Sequence, residues 1–146
     1  MTWQGEHAWE EEIMAEFDSV WMNAWQDEVN NDPALAVFGR YFTEDFLLGF
    51  GGKEYVVSVR EGRIERVTDN LSADTPWTFG LRGPRESWEK FVRQVPPPMY
   101  NDIWAMAHPL HGSLSVDGDV KAVWQNMRAL FWMLSDMRQV RKGAAA

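Results

Sequence analysis

The side chains best able to do chemistry in this chain are carboxylates and imidazoles, because it contains no cysteine. Thiolate nucleophiles, thiolate metal sites and disulfides are therefore excluded. Three histidines occur, His7, His108 and His111. His108-Pro109-Leu110-His111 has metal-like spacing. However, Pro109 keeps one helix from carrying both rings, and a third ligand such as Asp102 would be needed. No metal is expected; a loop histidine that caps backbone groups is the simpler reading. Gly49-Phe50-Gly51-Gly52-Lys53 has the glycines of a phosphate loop. It lacks the Gly-Lys-Ser/Thr ending and opens a strand, so it reads as a hairpin turn. No serine sits in a Gly-x-Ser-x-Gly elbow, and Ser87 and Ser115 have no partner that the sequence identifies.

Carboxylates are harder to dismiss. Glu44, Asp45 and Asp102 lie near apolar runs, where burial would raise a carboxyl pKa and let the group shuttle a proton. One such group, with Tyr100 or His108, could serve a small cofactor-independent lyase, isomerase or cyclase acting on an apolar substrate. Asp45, Asp102 and His108 are the candidate catalytic residues on that reading. Small NTF2-like enzymes are similar in their Trp-rich first helix and in an acidic strand entry such as Phe42-Thr43-Glu44-Asp45. They end on a strand, whereas the last strong element here is a helix.

The elements that would position these groups follow from hydrophobic periodicity. Trp9, Ile13, Phe17, Val20/Trp21, Ala24/Trp25 and Val29 recur every three to four residues, which predicts one long helix over 6–31. Asn30-Asn31-Asp32-Pro33 ends it, and Pro33 opens a short helix over Ala34–Tyr41. The period then shortens. Phe46–Phe50 and Glu54–Arg60 read as two strands around Gly51-Gly52, and Ile64–Thr68 as a third after the Glu61-Gly62-Arg63 turn. Trp77–Arg82 alternates and would place Trp77, Phe79 and Leu81 on one face of a fourth strand. Helices are expected over Pro84–Gln94 and Met99–Ala107, with Ile103, Trp104 and Met106 turned inward and Pro96-Pro97-Pro98 as a rigid spacer. Gly112–Val116 reads as a fifth strand. Asp119 then caps a last helix over 120–138, with Val120, Val123/Trp124, Met127, Leu130/Phe131, Leu134 and Met137 as its stripe and Trp132 widening it.

Composition narrows the function classes. The 146 residues suit one domain able to bury a core. Residues 1–45 carry 11 acidic and one basic side chain, residues 46–146 carry 11 and 13, and the net charge is −8. An acidic surface disfavours nucleic acid and anionic membrane as partners. No apolar run approaches the roughly 20 residues of a membrane span, so no stable membrane insertion is expected. The N-terminus has no secretory pattern, and a cytoplasmic location follows by default. Nine Trp, eight Phe and eight Met are more than a small core needs. Trp and Met together suit the wall of an adaptable apolar pocket.

The order of elements resembles the sterol carrier protein 2 (SCP2-like) family from about Asp45 to Leu134. Tyr55–Arg60, Glu61-Gly62 and Arg63–Val67 look like the family's central strand, turn and next strand. Ser72-Ala73-Asp74-Thr75 is similar to its entry to the fourth strand, and Leu114-Ser115-Val116-Asp117-Gly118-Asp119 to the segment leading into its last helix. The resemblance implies an α+β fold in which helices cover a five-stranded, mostly antiparallel sheet, here with long N- and C-terminal helices. It implies an apolar tunnel between sheet and helices for fatty acyl chains, sterols or similar lipids, with no shared catalytic motif. The acidic, Trp-rich N-terminal region and the missing Ser/Ala-Lys-Leu ending depart from the pattern.

The expected organisation is a helical region over 1–44 packed on a domain over 45–142, with a disordered tail at 143–146. The expected function is binding of a hydrophobic small molecule, without catalysis or cofactor. Trp124, Met127, Phe131, Trp77, Phe79, Phe46, Phe50 and Trp104 are the expected ligand contacts. The same Trp and Met stripes could instead pair two copies in a homodimer.

Overall fold

The structure, a computed structural model, describes residues 16–140. Eleven elements are defined among them: α1 (Ser19–Asn30), α2 (Pro33–Phe38), β1 (Glu44–Phe50), β2 (Lys53–Arg60), β3 (Arg63–Thr68), β4 (Phe79–Gly83), α3 (Arg85–Phe91), α4 (Ile103–Ala107), β5 (Ser115–Gly118), α5 (Val120–Gln125) and α6 (Met127–Ser135). The strands form one sheet in the order β3-β2-β1-β4-β5. β1–β2, β2–β3 and β4–β5 pair antiparallel, and only β1–β4 is parallel. This is the expected five-stranded, mostly antiparallel α+β sheet covered by helices.

The sheet's two faces follow from its register. Phe46 pairs with Phe79 across β1–β4 and with Val57 across β1–β2. Their side chains, with Leu48, Leu81, Phe50 and Val59, face the helices and join one core cluster with Trp25, Leu130 and Met133. Phe46 and Phe79 stack at 5.2 Å, which makes the parallel pairing a ring contact as well as a backbone one. The opposite face carries Leu47, Gly49 and Gly80 in β1 and β4, and here Gly49 makes room for a neighbour. A Cβ at Gly49 would lie 2.9 Å from Cγ of Arg82. Arg82 crosses β1 at that point to donate to Glu54 (2.8 Å) in β2, and it also donates to Asp117 (2.9 Å) in β5.

The first helix is shorter within the described residues than its periodicity predicts. Phe17 has φ +67° and Asp18 is extended, so the helix starts at Ser19, with the Asp18 carboxylate accepting from Trp21 N–H. Phe17 leaves the helical path because its ring stacks on Phe50 at 4.5 Å, and Tyr55 OH donates to its carbonyl. The stretch 6–15, with Trp9 and Ile13, lies outside the described residues, as does the 143–146 tail. From α1, Trp21, Met22, Trp25 and Val29 are buried, and Trp25 Nε1 donates to Met133 O (2.9 Å), tying this helix to α6. α2 begins on the Asp32 cap with Pro33 at its first position. It ends at Gly39, against which the β2–β3 turn packs. Glu61 and Gly62 both have positive φ, and a Cβ on Gly62 would stand 2.7 Å from Gly39 O.

The last helix is not continuous. It breaks at Asn126, whose φ is −115° and whose side chain donates to Ala122 O (2.9 Å). That side-chain bond competes for a helical carbonyl and separates α5 from α6. A second irregularity falls at Asp136, after which 137–140 are helical again. α3 is confined to Arg85–Phe91 after Pro84, and α4 starts only at Ile103 because the Asp102 side chain caps Ala105 N–H. β5 lies later than expected, at Ser115–Gly118, where it pairs with β4.

Candidate functional site

A cleft of about 590 Å³ opens on the solvent side of α4, α5 and α6. Its walls are Trp104, Trp124, Met127, Phe131 and Trp132, with Asp102 and Arg128 at its edge. That volume lies within the range of small-molecule sites, which combine apolar walls with a few polar groups. A smaller cleft of about 190 Å³ shares Trp104, Trp124 and Met127 and extends toward Val116 and Val120. The two flank the Trp104–Trp124 pair, whose rings meet edge to face at 4.4 Å.

Local sequence explains why these rings stand open. Trp124 and Phe131 alternate along α5–α6 with Val123, Leu130 and Leu134, which are buried. The apolar stripe is therefore wider than the surface the sheet can cover. Trp124 remains 52% exposed and Trp104 56%. Trp104 was expected to turn inward with Ile103 and Met106; only those two are buried. Trp132 stacks on Phe38 at 6.0 Å, and the Arg128 guanidinium lies over the same Phe38 ring at 4.8 Å. Among the described residues, no indole N–H of Trp104, Trp124 or Trp132 has a protein acceptor, and no carboxylate pairs with Arg128. The Asp102 carboxylate is held by its α4 cap.

The expected ligand contacts thus separate into two groups. Trp104, Trp124, Met127 and Phe131 come together at the cleft. Phe46, Phe50 and Phe79 lie instead in the closed core, at most 2% exposed. There Phe46 stacks on Phe79, and Phe50 meets Trp88 edge to face at 4.9 Å. Trp77 belongs with neither group. It precedes β4, and its ring lies 3.4 Å from the position of a Gly80 Cβ, on the face opposite Phe79 and Leu81. The expectation that Trp77, Phe79 and Leu81 share a face fails because the strand begins only at Phe79. The Arg82 guanidinium covers the Trp77 ring at 5.3 Å.

The candidate catalytic residues do not converge. Asp45 is ion-paired with Arg60 at 3.0 Å, on the sheet face away from Phe46. Asp102 caps α4, and His108 Nδ1 accepts from Leu110 N–H. No hydrogen bond or ion pair joins these three among the described residues. Tyr100 contacts His111 and Lys90 rather than His108. No group of three or more His, Asp or Glu suited to a metal occurs among the described residues.

Sequence reasoning missed two charged groups. Arg128 sits one helical turn after Trp124, so its spacing could have placed it at the cleft. Asp136 carried no signal, because its partners come from the other end of the chain. Burial, then a hydrogen bond and the charge of Asp32, then the charge of Glu28, push the Asp136 carboxyl up to about 8.

Sheet order, parallel β1–β4 contact and helical cover define an α+β protein with an apolar cleft on its helical layer. More particularly, the architecture is the SCP2-like fold. The chain superposes on a crystal structure of sterol carrier protein 2 with a TM-score of 0.66 and 14% identity, over 84% of this chain and 96% of that one. A solution structure of a possible sterol carrier protein from Thermus thermophilus gives 0.65 at 15% identity, over 86% and 89%. Sterol carrier protein 2 from Yarrowia lipolytica, in its apo form, gives 0.50 at 13%, over 80% and 88%. No protein-family model and no curated protein matches the sequence. Among the described residues, no helix is long and apolar enough to cross a membrane.

Proposed function

We propose that this protein binds a lipid-like hydrophobic small molecule in the cleft between α4 and α5–α6. One observation carries the reading: Trp104, Trp124, Phe131 and Trp132 line a 590 Å³ cleft, and among the described residues no protein layer covers them. Exposed indoles crowded around one concavity leave apolar area that a ligand would remove from water, at roughly 25 cal/mol per Å². The structural neighbours support the ligand class, since two of them are named as sterol carriers. The site is a surface cleft, so the ligand lies along α5–α6 and not in a tunnel through the stacked phenylalanines. No cofactor enters this function. The lyase or isomerase alternative gains no support, because Asp45, Asp102 and His108 are apart and already engaged.

The test is direct. Mass spectrometry of an organic extract of the purified protein should show a bound lipid, and tryptophan emission should shift on adding fatty acid or sterol. No extracted lipid and no emission change with either ligand would overturn the proposal.

A further inference from the structure

The wall of the cleft is aromatic rather than aliphatic. Trp104, Trp124, Phe131 and Trp132 form it, and Met127 is its one apolar side chain without a ring. A saturated chain gains burial from such a wall but gives up its rotational freedom when it is ordered. A planar ring system has no such freedom to lose, and ring pairs attract beyond the area they bury when they are offset or edge to face. Trp104 and Trp124 already stand at 67° to each other, which makes a corner for a flat guest.

The edge of the cleft adds one charge. Arg128 follows Trp124 by one helical turn and precedes Phe131 by another, and its guanidinium rests over the Phe38 ring at 4.8 Å. That stacking steadies the planar fork and leaves its N–H donors in the plane of the group. Among the described residues Arg128 makes no hydrogen bond or ion pair, and no acid occurs between Val120 and Ser135. Asp102, the carboxylate among the lining residues, is turned to its own helix and accepts from Ala105 N–H at 2.8 Å. A guanidinium beside an apolar wall has a specific complement, a carboxylate that it grips with two N–H groups. We infer that the occupant of this cleft is a planar aromatic carboxylate, its rings against Trp104 and Trp124 and its carboxylate on Arg128. The inference rests on the reading that the cleft takes a hydrophobic ligand, and it selects among the ligands such a site admits. A neutral sterol leaves Arg128 without a partner. A saturated fatty acid satisfies Arg128 but offers the indole faces no ring.

The test is isothermal titration calorimetry on the full chain with 2-naphthoate, its methyl ester and undecanoate. The ester keeps the rings and loses the charge; undecanoate keeps the charge and the carbon count and loses the rings. Naphthoate is expected to bind about fivefold tighter than either, with a margin over the ester that shrinks as salt is raised. Arg128→Gln should erase that margin, so that acid and ester bind alike. Lys121→Gln removes a cation from α5 outside the cleft lining and should preserve it. Undecanoate binding as tightly as naphthoate would overturn the inference and leave the lipid reading standing. A margin lost equally with Lys121→Gln and with Arg128→Gln would also overturn it, because the general field of the face would then explain the preference. So would a dimer in light scattering that Trp132→Glu converts to a monomer and that naphthoate does not disturb. Tight naphthoate binding without any response to fatty acid or sterol would uphold the inference and sink the lipid reading.

Discussion

Two aromatic regions of this molecule are built from the same residue types and differ in what surrounds them. In the core, Trp25 and Trp88 are fully buried, and each indole N–H is satisfied, by Met133 O and Gly49 O. Phe17, Phe46, Phe50 and Phe79 close around them in stacked and edge-to-face pairs. On the α4–α6 face, Trp104, Trp124 and Trp132 remain between 39% and 56% exposed. Their N–H groups have no protein acceptor among the described residues. Hydrophobicity places both sets on apolar stripes. What separates them is whether the polar atom of each ring has been provided for, which a core must do and a site can leave to its ligand or solvent.

The sharpest break of this comparison is one truncation in each region. Trp88→Ala removes a buried indole, its bond to Gly49 and its contacts with Phe50 and Phe91. A loss of about 3–5 kcal/mol is expected in denaturant unfolding. Trp124→Ala should change stability by less than about 1 kcal/mol, because half of the ring is already in water. It should weaken binding of a fatty acid or sterol probe roughly tenfold, read by tryptophan emission. If Trp124→Ala destabilises the protein as much as Trp88→Ala does, the two regions are one core and the site reading fails.

Their different legibility has a physical basis. Strand order and turn chemistry are local: Glu61-Gly62 must form a tight turn, and Asp119 must cap the helix that starts at Val120. These were readable from single residues. Helix breaks were not, because Asn126 interrupts α5–α6 through its own side chain, and Phe17 leaves α1 to reach Phe50. Nor can periodicity say which side of a wide stripe is covered. Trp124 and Leu130 lie on the same predicted stripe, yet one is half exposed and the other buried. For that reason half of the expected contacts gathered at the cleft, while Phe46, Phe50 and Phe79 went into the core.

A smaller effect tests the seam where α6 meets α1 and α2. Burial and Asp32 hold the Asp136 carboxyl up to about 8, against an ordinary value of 3.8. Below 3.8 both folded and unfolded chains are protonated there. As pH rises, the unfolded chain releases this proton first, so stability is lost progressively and the penalty is complete above about pH 8. Asn keeps a donor toward Asp32 without a charge. Asp136→Asn should therefore melt about 2–4 °C above the parent protein at about pH 9 and show no gain at about pH 4. An equal shift at both pH values would mean that ionisation of this carboxyl does not weaken the seam.

The smallest expected effect concerns the carboxylate that looked most chemical in the sequence. Asp45 bonds Arg60 at a partly exposed pair, with side chains 28% and 42% accessible. Arg60 also donates to Val59 O, so losing the pair does not free it. Solvent screens such a pair, so it contributes little to stability. Asp45→Asn should lower the melting temperature by no more than about 2 °C and leave lipid affinity unchanged, because the residue lies on the sheet face away from the helices. A large fall in affinity, or loss of a measurable turnover, would place function on the Arg60–Asp45 side of the sheet. The contrast between a sealed core and an open aromatic cleft would then locate only a surface feature, and the catalytic reading would regain its strongest candidate.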